Sequence, residues 1–463
     1  MYAPIRLHPD NPRYFLFRGR PTVLLTSGEH YGAVINLDFD YRAYLDSLRD
    51  RGFNLTRLFS GAYVEREESI HWMGYRNTLA PRPKRFLAPW ARSSQPGYAV
   101  GGMKFDLDQW DGDYFARLKD FVAEAGKRGI VVEFVFFSQM YNEQNWSASP
   151  LNAANNVNDV GAIPWERFTT LQDAALFERQ AALVRKVAHE LNDFDNVYYE
   201  ICNEPNYIGA PGGTADWHDR LIQVLTETEA SLPNRHMIAV DYDQEALFPR
   251  LNPLVSVHNV HYAFGSGWVG ALELLERFPD APRALAFDET TDPIWGNTLT
   301  GNRLEAWEFI LGGGAVYDHL NWAYTPEDPA GARNETGREL CRQLSILGEF
   351  IRGFEIASMK PNCRVVAGGL SPGIRARVLA EAGRQYAIYL YHASRTDHGY
   401  DLHPGAYRAE PGLDLPAGRY GAVWIEPATG RSLAEECFVH AGGHRWFPSP
   451  VFAADIALKI VCD

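Results

Sequence analysis

A chain of 463 residues with 46% hydrophobic and 22% charged residues has the make-up of an ordinary globular protein, long enough for two or three domains or for one large barrel plus a smaller module. Its net charge of −14 argues against nucleic acid or an anionic membrane as partner and suits a neutral or cationic small substrate. The five cysteines are scattered and form no C-x-x-C pair, so neither a zinc site nor a redox motif is expected, and no window approaches the roughly 18 apolar residues that cross a bilayer.

Aromatic content is high, with 12 Trp and 23 Tyr; such rings stack on sugars and bases alike, and the charge favours sugars. The first residues lack an apolar core flanked by basic side chains. The expectation is therefore a cytoplasmic protein, or a secreted one if an export signal has been removed.

In chain order, Tyr14–Phe17 and Thr22–Thr26 predict a hairpin leading into a first buried strand that ends at Ser27-Gly28-Glu29-His30-Tyr31. Tyr41, Tyr44, Leu45 and Leu48 give a helical stripe closed by Arg51-Gly52, and Phe53–Phe59 gives a second strand interrupted by Arg57. A long loop is expected through about Asp108. The pattern repeats with a helical stripe from Tyr114 to Ala125, a strand over 129–137, a loop over 139–168 and a helix from Leu176 to Leu191. Further strands are predicted at Val197–Cys202, His236–Val240, Val255–Tyr262, Arg283–Glu289 and Ala315–Trp322, with helices between most of them and a last one at Leu340–Ile351. Eight strands alternating with helices over about 350 residues is the period of a (β/α)8 TIM barrel. A doubly wound sheet would want a glycine-rich phosphate turn after its first strand, and Ser27-Gly28-Glu29 is not one. From about Ala357 no helical period remains, and strand-like runs at Cys363–Ala367, Arg375–Ala380, Gln385–Tyr391, Tyr420–Ile425 and Ala454–Val461 predict an antiparallel β-sandwich module. The expected division is a barrel over 1–355 and an accessory module over 356–463.

The chemistry is concentrated at strand ends. Val197-Tyr-Tyr-Glu-Ile-Cys202 reads as a buried strand that stops at Asn203-Glu204-Pro205, where Pro205 cannot continue a ladder. Glu204 thus closes the fourth strand and Glu289 the seventh, and in a closed barrel such ends face each other across one mouth. Two carboxyl groups in different surroundings acquire different pKa values, so that one donates a proton while the other stays ionised. That is what glycoside hydrolysis requires.

These strand ends resemble clan A of the retaining glycoside hydrolases, most nearly family 5. Asn203-Glu204-Pro205 is similar to the family's fourth-strand motif, which implies Glu204 as general acid/base and Asn203 on the sugar 2-hydroxyl. Glu289, in Ala286-Phe-Asp-Glu-Thr290, resembles the seventh-strand nucleophile. Arg57 resembles the second-strand arginine that orients it, His261-Tyr262 the sixth-strand pair whose tyrosine hydroxyl bonds the nucleophile, and Trp322 the eighth-strand floor beneath the sugar. The third strand departs from the pattern, ending Phe136-Phe137-Ser138 where the family often has a histidine, and Asp288 is an unusual neighbour for the nucleophile.

The residues support the same roles by themselves: a guanidinium beside Glu289 would keep it ionised, with a barrel-core ion pair as the alternative for Arg57. By alternation His258 and His261 face opposite sides, His261 being the one expected in the site. Glu29 and His30 are candidates for hydroxyl recognition, Asp241 and Asp243 weaker ones, and Trp146, Trp165, Trp268 and Trp295 candidates for stacking. The reaction implied is cleavage of a β-glycosidic bond in an oligo- or polysaccharide by double displacement, with no cofactor or metal. The rivals are a non-hydrolytic carbohydrate-binding barrel and a metal-dependent barrel hydrolase; the latter would want grouped His and Asp, and no His-x-His or His-Glu-x-x-His occurs.

Overall fold

The structure is a computed structural model that describes residues 2–66, 76–205, 214–241, 252–264, 270–277, 283–290, 298–396 and 399–462. Its centre is a sheet of eight parallel strands: β1 (Leu24–Gly28), β2 (Leu55–Phe59), β3 (Val131–Ser138), β4 (Val197–Asn203), β5 (Ile238–Asp241), β6 (Val257–Asn259), β7 (Ala284–Phe287) and β8 (Val316–Leu320). They pair in the order β1-β8-β7-β6-β5-β4-β3-β2, the succession of a (β/α)8 barrel. Asn54 stitches the seam between β1 and β2, its backbone N–H donating to the Leu25 carbonyl (3.2 Å) and its Oδ1 accepting the Leu25 N–H (2.8 Å). Every residue of β1 to β4 is buried, as expected of parallel strands covered on both faces.

The helices form where apolar stripes follow a capping side chain. α1 (Tyr41–Asp50) starts at Asp40, whose carboxylate accepts the Arg42 and Ala43 N–H groups, and it buries Tyr41, Tyr44, Leu45 and Leu48. α2 (Gly112–Lys127) is capped by Asp111 and α3 (Ala174–Leu191) by Asp173. They are followed by α4 (Thr214–Ala230), α5 (Ala271–Arg277), α6 (Leu299–Leu311) and α7 (Glu335–Arg352), which Asn334 caps. No helix among the described residues is long and apolar enough to cross a membrane. The expected loop before Asp108 contains an antiparallel hairpin of Trp90–Pro96 with Met103–Trp110. Its Arg92-Ser-Ser-Gln95 segment has no apolar alternation that would have announced it.

The C-terminal module comprises β9 (Lys360–Pro361), β10 (Ile374–Glu381), β11 (Gln385–Thr396), β12 (Gly399–Leu402), β13 (Gly412–Ile425), β14 (Ser432–Trp446) and β15 (Asp455–Cys462). The order is β9-β10-β11-β15-β13-β14, with β12 beside β11. The run expected at Cys363–Ala367 is a 3-10 turn at Cys363–Val365. β11 alternates: Tyr386, Ile388 and Leu390 face the module's own core, while Ala387, Tyr389 and Tyr391 join the barrel's core. α6 lies between the two, which is why it is buried on all sides from Gly301 to Leu311, with Trp307 stacked on Tyr389 at 5.3 Å.

Candidate active site

The strand ends bring the site residues to one rim. Glu204 follows β4 and Glu289 follows β7, and an oxygen of each, together with a ring nitrogen of His261, lies within 4.8 Å of the other two. His261 stands between them, with Nδ1 2.9 Å from Glu204 Oε1 and 3.7 Å from Glu289 Oε2. Its Nε2 is 3.1 Å from Asp288 Oδ1 and 3.4 Å from Asp241 Oδ2. A divalent cation could use the same spacing; within the trio the hydrogen bond is the one between His261 and Glu204, with Glu289 in longer ion-pair contact with the ring. His258, on the other side of the strand, turns to Arg283 instead.

Glu204 is tightly held. Its Oε1 also accepts the Tyr262 hydroxyl (3.1 Å), its Oε2 the Tyr141 hydroxyl (2.6 Å), and its backbone N–H donates to Asp241 Oδ2 (2.8 Å). Against the upward push of burial, His261 and the two tyrosines hold its carboxyl below the ordinary range. Glu289 accepts the Tyr31 hydroxyl at 3.3 Å. Burial pushes it up to about 7, with Glu204 adding to that and His261 and Arg57 opposing it. Of the six non-glycine residues with positive φ among the described residues, three are here: Glu204 (47°), Tyr31 (62°) and Tyr262 (62°). Such backbone is costly and persists where its surroundings enforce it, which is typical of functional sites.

Below the rim lies an acidic layer. Arg57 gives Nη2 to both oxygens of Glu200 (2.7 and 2.6 Å), Nη1 to Asn203 Oδ1 (2.8 Å), and sets Nε 3.1 Å from Asp288 Oδ2. Its distance to Glu289 is 3.8 Å and to Glu133 3.9 Å. Arg57 is thus first the counter-charge of a buried core, the alternative its sequence position left open, and only secondarily a neighbour of Glu289. Burial drives Glu133 well above the carboxylate range and raises Glu200; Asp288, buried too, is held low by Arg57 and His261.

Two expectations are corrected. The Tyr262 hydroxyl, expected on Glu289, donates to Glu204; the hydroxyl on Glu289 is that of Tyr31. Glu29, expected to face a hydroxyl of the sugar, is buried and turned into its own loop, where it accepts the Gly32 N–H (3.1 Å), the Ala33 N–H (3.2 Å) and the Thr78 hydroxyl. A carboxylate at a strand end can cap the following turn as readily as it can face the mouth, and the sequence does not separate the two.

His30 does reach the rim: it packs on Trp322 with ring centroids 4.2 Å apart and meets Glu65 at 3.4 Å. Glu65 also accepts the Asn77 amide (2.7 Å), and His30 helps to hold it low against burial. Asn203 donates to the Tyr141 hydroxyl at 2.9 Å. Trp146 is core, its indole N–H on the Ile163 carbonyl, and Trp165 packs against that core. Trp268, Trp295 and Asp243 lie outside the described residues. Tyr141, Tyr31 and Glu65 were missed by sequence reasoning; Tyr141 had a signal, standing three residues past the last residue of β3.

No protein-family model matches the sequence, and no curated protein matches it. Among solved structures, one described as a glycoside hydrolase has a TM-score of 0.63 at 13% identity, covering 100% of this chain and 97% of that one. A glycoside hydrolase family 5 structure from Bacteroides vulgatus has 0.61 at 13%, covering 100% and 95%. The endo-1,4-beta-mannanase of Rhizomucor miehei has 0.50 at 11%, covering 75% of this chain and 100% of its own. At these identities the likeness is one of fold: the chain shares its barrel and its C-terminal module with solved structures described as glycoside hydrolases, each covering all of it.

Proposed function

We propose that this protein is a retaining glycoside hydrolase acting on a β-glycosidic bond of an oligo- or polysaccharide. One observation carries the reading: two glutamates from the ends of β4 and β7 with carboxylate oxygens within 4.8 Å of each other. Retaining glycosidases hold their two carboxyl groups about 5–5.5 Å apart, whereas inverting ones leave room for a water at about 6.5–9.5 Å. The glycosidase folds to which the chain is similar support the same conclusion.

In this reading Glu289 attacks the anomeric carbon while Glu204 protonates the leaving oxygen; Glu204 then takes a proton from the water that releases the glycosyl group from Glu289. Trp322 with His30 packed against it at a tilt forms an apolar platform for the sugar ring, and His30, Glu65 and Asn203 present polar atoms to its hydroxyls. Arg57 holds Asn203 and stands close enough to Glu289 to favour its ionised form.

The test is hydrolysis of aryl β-glycosides, with β-mannan and β-glucan as first polymers, by the protein and by Glu204→Ala and Glu289→Ala. Turnover that survives unchanged in either variant removes the assignment. A non-hydrolytic sugar-binding barrel would show binding and no turnover in any form.

A further inference from the structure

We propose that His261 and Glu204 hold one proton between them and act as a unit, His261 being a positioning residue that stores the proton passed through Glu204 to the leaving oxygen. The proposal rests on the glycosidase reading above. It starts from an imidazole with carboxylates at both ends. Nδ1 meets Glu204 at 2.9 Å and Nε2 meets Asp288 at 3.1 Å, with Asp241 and Glu289 next nearest. An ionised carboxylate only accepts, and a neutral imidazole has a single N–H. Neutral His261 would set a lone pair against a lone pair at one end, in a site where the ring is only 1% exposed. The charged ring turns an N–H towards an acid at both ends, hydrogen-bonding Glu204 through Nδ1 and standing in ion-pair contact with Asp288 through Nε2. The groups facing it favour that form: Glu204 from β4, Asp241 from β5, Asp288 and Glu289 from β7, with Glu200 beneath and Arg57 the opposing cation. Burial works against the charge, and these acids still hold the ring well above the usual histidine range.

The consequence is chemical. A general acid must carry a proton at rest, yet Glu204 accepts from His261, Tyr141 and Tyr262 at once, which favours its ionised form. Acting alone it would be a poor acid near neutral pH. With His261 the difficulty disappears. As Glu289 bonds to the anomeric carbon and the glycosidic C–O bond breaks, the proton on Nδ1 moves to Glu204 and on to the leaving oxygen, leaving His261 neutral with its Nε2–H facing Asp288. In the second half, the attacking water gives its proton to Glu204 and so back to Nδ1, restoring the starting charges. Asp288, the unusual neighbour of Glu289 in the sequence, thereby acquires a role as the anchor of the proton store.

The test compares the protein with His261→Gln on aryl glycosides of graded leaving-group pKa. The expected result is a loss of about 100-fold on a poor leaving group, at the low end of what general acid–base catalysis contributes. Activity on a dinitrophenyl glycoside, which leaves without a proton, should change by less than about tenfold, and the alkaline limb of the profile should move to lower pH. Equal losses across leaving groups with an unmoved limb would overturn the proposal. Should His261→Gln fail to fold, ring NMR of the unaltered protein decides: two N–H protons on His261 at pH 7 are expected, and one contradicts. If Glu204→Ala and Glu289→Ala remain active the glycosidase reading falls; if they are inactive while His261→Gln behaves uniformly, only this inference falls.

Discussion

Two charge clusters in this molecule are built to opposite rules. At the junction of barrel and module, Glu308 is met by Arg377 at 3.0 Å, by Arg395, and by the Tyr400 hydroxyl at 2.6 Å, while Glu276 takes the same two arginines at 2.7 and 3.0 Å. Nearby, Arg303 grips Asp455 through two hydrogen bonds of 2.9 and 2.8 Å. Charges there match one for one, and the arginines hold both Glu308 and Glu276 low against burial. Under the rim that carries Glu204 and Glu289 the count is unbalanced: Glu133, Glu200 and Asp288 surround Arg57, with His261 above. Burial there raises Glu133 and Glu200. The balanced cluster fastens two bodies. In the function proposed above, the unbalanced one stores protons and field beneath the reacting atoms, which is where perturbed carboxyls are put to use.

The difference can be broken most severely at the rim. Glu204→Ala and Glu289→Ala should each lower turnover of aryl β-glycosides by at least about 10³-fold, measured by release of the aryl group. Next comes Arg57→Ala, which strands buried acids without their cation and should cost about 3–5 kcal/mol in chemical denaturation. Its sign with pH is distinctive. Glu133 and Glu200 are already raised, and losing Arg57 raises Glu200 further, so the native state takes up more protons than the unfolded one and the variant should regain stability as pH falls.

Glu308→Ala should cost less, about 2 kcal/mol for lost charged hydrogen bonds, and should respond to acid in the opposite sense. In the unaltered protein Glu308 is lowered, so its contribution is present above the unfolded carboxyl pKa and fades as pH drops through the folded value; the variant therefore differs most from the parent near neutrality. The smallest effect concerns Glu289. With its pKa at about 7, kcat/KM should fall as pH drops through 7, because a nucleophile must be ionised. On a dinitrophenyl glycoside, Glu204→Gln should move that limb to lower pH by removing a neighbouring negative charge.

The sequence made legible whatever depends on local pattern. Val197–Cys202 before Asn203-Glu204-Pro205 announced a strand and its stop, and the eightfold alternation announced the barrel. It hid whatever depends on where a side chain turns. Glu29 and Glu204 are both glutamates at strand ends, yet one caps Gly32 and the other meets His261. β14 escaped notice because it is an edge strand exposed along most of its length, with Ala434-Glu-Glu436 and Ala441-Gly-Gly443 interrupting any apolar alternation. Trp146 read as a loop aromatic because its burial comes from packing on Phe168, a residue distant in the sequence.

The central claim is that Glu289 forms a covalent bond to the sugar while Glu204 serves as acid. It is tested most directly by incubating the protein with a 2-deoxy-2-fluoro glycoside of the sugar it hydrolyses and mapping the adduct by peptide mass spectrometry. The account predicts one glycosyl group per chain, on the peptide holding Glu289; a label on Glu204, or full inactivation with no label at all, contradicts it.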